Sequence, residues 1–158
     1  HEDVERTVLH EIDGHALPAL RAEQAPIALF ALGTARGSDT QEGWALVLEE
    51  RAGFLGPRRR RELALRHVAA RSAHSGRSFA VAVEDLLGFE APLPVALRIC
   101  ARAFRGGGLG REASYLPAFI EVRRALAEEP DLEPIVAAGR VSIAAARTLS
   151  RFPALLPP

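Results

Sequence analysis

Two histidines five residues apart bracket a carboxylate in the stretch His10-Glu11-Ile12-Asp13-Gly14-His15. In the familiar zinc-helix pattern the histidines stand four apart and share one helix face. At about 100° per residue, a spacing of five in a regular α-helix sets them roughly 140° apart, too far round to share one ion. If both are to bind a metal, the helix must bulge between them. Gly14 is the residue that most easily accepts a π-bulge, and such single-turn bulges concentrate at functional sites. The residue types suit that chemistry, since two imidazoles and a carboxylate give a zinc hydrolase two ligands and a general base on one stretch. The competing structural reading makes Val4, Val8, Leu9 and Ile12 the apolar stripe of an ordinary amphipathic helix that ends near Gly14.

A third ligand has to come from elsewhere in the chain. Gly37-Ser38-Asp39-Thr40-Gln41-Glu42-Gly43-Trp44-Ala45 carries the Ser/Asp/Thr cluster of a helix start. Glu42 lies beyond a loop long enough to fold back on the first helix, and zinc sites with two helical histidines commonly complete themselves with such a Glu. Glu49 and Glu50 follow as further candidates. Asp39 with Glu42, or Ser38 with Gln41, also has the spacing of a capping arrangement, which would give Glu42 a purely structural role.

These two stretches together resemble the family named for a QEGLA motif, known in bacteria as flavohaemoglobin expression-modulating proteins. That family is similar to the microtubule-associated tyrosine carboxypeptidases of animals, zinc peptidases with the same HExxxH signature. The resemblance continues through Arg105-Gly106-Gly107-Gly108-Leu109 and Tyr115-Leu116, so it covers most of the chain. The HExxGH form also looks like dipeptidyl-peptidase III, without implying kinship. The resemblance implies His10, His15 and Glu42 as ligands of one zinc ion per chain and Glu11 as catalytic base. It further implies a glycine loop that brings Arg105 and Tyr115 towards the metal, as oxyanion donors or, for Arg105, as a clamp on a substrate carboxylate. Trp44 stands where the family usually has Leu, a change expected to alter packing more than coordination. Family members carry a substantial region before the HExxxH helix, so residues 1–158 are expected to form a single helical domain that is the C-terminal part of a larger catalytic domain.

Composition narrows the remaining classes. The 158 residues carry a formal net charge of zero, which argues against nucleic acid or acidic membranes as partners. No apolar run reaches the eighteen or so residues of a membrane span. Cys100 is the only cysteine, so no disulfide forms within one chain, and a cytoplasmic location is the expectation. No segment alternates with period two, so the fold class expected is all-α with little or no sheet.

Helices are expected over residues 2–20 with Pro18 at the exit, then in short form after Pro26, from Arg58 to about Gly76, and over 78–87. Others follow over 94–104, 111–128, 130–138 and 141–149, before a loosely held proline-rich tail. The run Arg58 to Arg61 reads as a solvated face, and His67 and His74 as ordinary helix histidines. The reading as a whole is a zinc-dependent, carboxypeptidase-like peptidase acting on a peptide or protein C-terminus. A non-hydrolytic zinc-binding regulatory domain and a metal-free helical interaction module are the alternatives.

Overall fold

The computed structural model describes residues 2–105 and 112–157, and all regular structure among them is helical. Two compact units are formed, one by residues 1–55 with 117–158 and the other by residues 56–116. No described helix is long and apolar enough to cross a membrane.

The first unit opens with α1 (Glu2–Glu11), a π-helical turn (Ile12–Ala16) and α2 (Leu17–Glu23). The bulge demanded by the histidine spacing is present: the Leu17 N–H bonds to the Ile12 carbonyl, five residues back. Pro18, the expected exit of this helix, does not end it. It is a buried residue in the first turn of α2, where a proline's missing N–H costs little. Val4, Val8 and Ile12 are exposed, so the apolar stripe does not face the core; the side carrying Arg6, His10 and Gly14 does.

What that side meets is α4 (Gly37–Arg51), which follows the short helix α3 (Leu29–Leu32). A run of α4 from Thr40 to Val47 is buried, together with Glu49, so this helix is covered on several sides. Two contacts require the absence of a side chain. A Cβ on Gly14 would lie 2.5 Å from the Ala45 Cβ, and one on Gly43 would lie 2.5 Å from the Ala118 carbonyl oxygen. The residue before α4, Arg36, has left-handed backbone (φ 61°) and its side chain makes no cap bond. The chain there is held by backbone pairing instead, with Arg140 N–H donating to Phe30 O and Thr34 N–H donating to Arg140 O.

Later parts of this unit are α8 (Glu112–Glu128) from Pro117 onward, α9 (Glu133–Val136) and α10 (Ile143–Leu149). On α8, Ala118, Phe119, Val122, Ala125 and Leu126 are buried. Arg51 binds Glu133 through two bonds of 2.7 Å, and Arg123 lies 3.1 Å from Glu50. The first pair is solvent-exposed and contributes little stability, while in the second the Arg123 side chain is exposed and Glu50 is half-buried.

The second unit contains α5 (Pro57–His74), α6 (Phe79–Gly88) and α7 (Leu93–Arg105), each packed on the other two. Leu65, Ala69, Val83, Leu86, Ile99 and Cys100 are among its core residues. Ser78 caps α6 by accepting from the Val81 N–H. Of the run Arg58 to Arg61, Arg58, Arg60 and Arg61 are exposed, while Arg59 is half-buried and 3.6 Å from Glu62. The buried exception is Arg66, which donates with Arg102 to the buried carboxylate of Glu112; the Arg102 Nε is 2.6 Å away. His67 Nδ1 donates to the Ala113 carbonyl at 3.0 Å, the acceptor that Pro117, lacking an N–H, leaves unclaimed four residues on.

Two outcomes are expected. Gly14→Ala should cost about 1–3 kcal/mol in denaturant unfolding through overpacking against α4, and Ala45→Gly in the same chain should restore part of the loss. Glu112→Gln should cost about 3 kcal/mol at neutral pH, because Arg66 loses its buried counter-charge. Burial opposes ionisation of Glu112, but Arg66 and Arg102 outweigh it and hold the carboxyl below the ordinary range. Its contribution is therefore complete above the unfolded carboxylate pKa and disappears as the pH falls through the lower folded value, so the difference between the two chains should shrink in acid.

Candidate metal centre

Three helical segments of the first unit converge on one spot: α1 brings His10, the π turn brings His15, and α4 brings Glu42. At roughly 4.4 residues per π turn, five residues return to within about 50° of the starting direction, which removes the obstacle of the odd spacing. The two rings stand with centroids 5.1 Å apart at 64° to one another. His10 Nε2 and His15 Nε2 each lie 3.5 Å from the same oxygen, Glu42 Oε2. The three prospective ligand atoms lie within 4.8 Å of one another, and the group can hold a metal ion.

The spacing itself is a test of fit. Donors around a tetrahedral ion with arms of about 2.1 Å stand about 3.4 Å apart, close to the two distances found here. Side-chain exposure grades from 7 % at Glu42 through 12 % at His10 to 23 % at His15, so the cluster is reached by solvent from the His15 side. A carboxylate and two imidazoles are a donor set for a borderline divalent ion.

Electrostatics point the same way. Burial opposes a charge on His10, but Glu42 and Glu49 overcome it and raise its pKa to about 9. Burial likewise opposes ionisation of Glu42, yet His10 and His15 bring its pKa down to about 2. The space among these side chains favours positive charge, whether a proton or a metal ion supplies it.

Glu49 is placed otherwise than as a ligand. It is fully buried, and its Oε1 accepts from His10 Nδ1 at 2.8 Å, on the side of the ring away from Glu42; Arg6 is 3.6 Å from the same oxygen. Sequence reasoning named Glu49 only as a spare third ligand. The missed signal was its position seven residues after Glu42, two turns along the same helix face. Glu50 pairs with Arg123. Trp44 is buried with the Arg51 guanidinium 5.5 Å from its ring centre, a packing role as expected.

Glu11 ends α1 beside His10 and is exposed. Arg105 and Tyr115 belong to the second unit: Arg105 is the exposed last residue of α7, and Tyr115 is half-buried in the first turn of α8, with Arg66 5.4 Å from its ring centre. Gly106, Gly107, Gly108 and Leu109, the expected glycine loop, lie outside the described residues.

A family model described as microtubule-associated tyrosine carboxypeptidase matches residues 1–154. The chain belongs to this family. No curated protein and no solved structure matches the chain. Membership in the microtubule-associated tyrosine carboxypeptidase family agrees with the resemblance carried by the HExxxH and Gln-Glu-Gly stretches, and the match spans the metal-centre residues together with Arg105 and Tyr115.

Metal uptake at this cluster should release protons. Below about pH 9 His10 carries a proton that a metal must displace. At neutral pH, calorimetry in buffers of different ionisation enthalpy should therefore register close to one proton released per metal bound, and affinity should fall on acidification. In the metal-free protein the sign for stability is opposite to that of Glu112. The raised His10 pKa favours folding fully below the unfolded value of 6.5, and that contribution is lost as the pH rises through about 9.

Proposed function

We propose that this protein is a zinc-dependent metallopeptidase of the carboxypeptidase type, with a peptide or protein C-terminus as its substrate. The observation that carries the reading is the convergence of His10, His15 and Glu42 at ligand spacing, with Glu11 next to His10 in the sequence, in a chain of a carboxypeptidase family.

His10, His15 and Glu42 would hold one zinc ion, three protein ligands being the usual number in a catalytic site that leaves a position open. Bound there, zinc would supply a Lewis acid that acidifies water and polarises the scissile carbonyl. Glu11, next to a ligand but not one itself, takes a proton from the attacking water and later delivers it to the leaving amine. His15 and Glu42 keep the donor set in place, His15 from the π turn and Glu42 from the buried centre of α4. Roles for Arg105, as carboxylate clamp or oxyanion donor, and for Tyr115, as oxyanion donor, belong to the same reading and rest on motif order in the sequence.

The test is metal content together with turnover. Protein supplied with zinc should hold about one ion per chain and release C-terminal residues from model peptides. Glu11→Gln should keep the zinc and lose hydrolysis, by a factor of at least about 100 for loss of a general base; His15→Ala should lose both. Full activity in Glu11→Gln removes Glu11 as base. Stoichiometric zinc without hydrolysis of any C-terminal peptide would favour a regulatory metal domain instead.

A further inference from the structure

In the unit that carries the cluster, the peptidase reading leaves the buried acid Glu49 unused. Glu49 is completely shielded from solvent, an expensive place for a carboxylate, and its side chain meets His10 at Nδ1, the ring nitrogen away from Glu42. A carboxylate oxygen can only accept, so the 2.8 Å contact calls for an N–H at Nδ1; once a metal has displaced one proton from the His10 imidazolium, the single hydrogen left on the ring is that one. The lone pair then belongs to Nε2, the nitrogen 3.5 Å from Glu42. Among the described residues His15 shows no carboxylate at its second ring nitrogen, so the two histidines are not equivalent. Arg6, reaching the same Glu49 oxygen from one turn earlier on α1, steadies the acceptor.

From this geometry we infer that Glu49 is a positioning residue: it fixes His10 in the tautomer and orientation that present Nε2 to the metal, and it strengthens His10 as a donor. Glu42 and Glu49 also bring two carboxylates to a buried site, matching a dication. The inference rests on the metal reading above. It adds that the affinity of the site depends on a residue that never touches the ion, and that His10 is held more firmly than His15.

The experiment compares zinc affinity, by competition with a chelator, in the parent chain, Glu49→Gln and Glu49→Ala, alongside the nitrogen-15 pattern of His10 in the zinc-loaded parent. Loss of the partner in Glu49→Ala should weaken zinc about 10- to 100-fold. Glu49→Gln keeps an acceptor without the charge and should fall between Ala and the parent. The His10 spectrum should show a protonated Nδ1 and a metal-bound Nε2, a signature that a merely structural Glu49 would not dictate and that can be read even if a variant fails to fold. Parent-like affinity in both variants, or a protonated Nε2 on His10, overturns the inference and leaves the peptidase reading standing. Zinc bound with the expected losses but no hydrolysis by the parent does the reverse. A parent that takes up no zinc overturns both.

Discussion

The approach of Gly14 to Ala45 is the contact on which the candidate metal centre depends. His15 follows Gly14 directly, and Glu42 precedes Ala45 by three residues, so the separation of the π turn from α4 is also the separation of His15 from Glu42. A methyl group at residue 14 would wedge those backbones apart before it touched any functional atom. Gly43 repeats the device on a different side of α4, about 200° round from Ala45, by letting the Ala118 carbonyl come close. α4 is thereby pinned between two close neighbours, and Glu42 lies beside the pinned segment. The precise spacing of the His10, His15 and Glu42 cluster comes here from backbone contact rather than from long side chains, whose freedom would blur it.

Much of this was legible in the sequence, for a reason particular to helices. A periodicity fixes angles, so the 140° conflict between His10 and His15 could be stated and its resolution at Gly14 anticipated, and the π turn at Ile12–Ala16 is that resolution. The helical boundaries after Gly56 and Ser78 were visible because Pro57 and the Ser78 cap are local signals. Periodicity does not say which face finds a partner. Val4, Val8 and Ile12 form a respectable apolar stripe, yet the opposite side faces α4, because Gly14 allows a closer approach than any branched residue would. Pro18 misled for a related reason: the wider turn places it near the start of a fresh helical segment, where a proline is harmless. For Glu49 the spacing of seven from Glu42 puts both acids on one helix face, but the burial of that face is not written in one dimension, where an acid on an exposed helix and an acid in a buried one look alike.

In the second unit, polar groups are again settled in pairs. Glu112 takes bonds from Arg66 and Arg102, and the Arg66 guanidinium also lies near the Tyr115 ring. His67, one of two histidines with the look of a loose motif, donates to Ala113, whose carbonyl would otherwise lose its helical partner to Pro117. A proline inside a helix thus exists alongside a histidine that supplies the missing hydrogen bond from another helix. The compensation matters because a buried carbonyl without a donor costs about as much as a lost hydrogen bond.

The π turn has one more consequence, for insertions and deletions. It accommodates one residue more than an α turn over nearly the same rise, and it brings residues five apart to almost the direction that an α-helix gives to residues four apart. A chain with five between its histidines and a chain with four can therefore present the same pair of imidazoles to an ion, differing by a single codon within 12–16. Adding or removing that codon, with the turn changing between π and α, leaves both the histidine pair and the helix beyond it within about 10° of their former register. The lengthened motif is in this sense a buffer: the π turn at Ile12–Ala16 absorbs the extra residue, and α2 from Leu17 onward continues nearly in the frame set by α1.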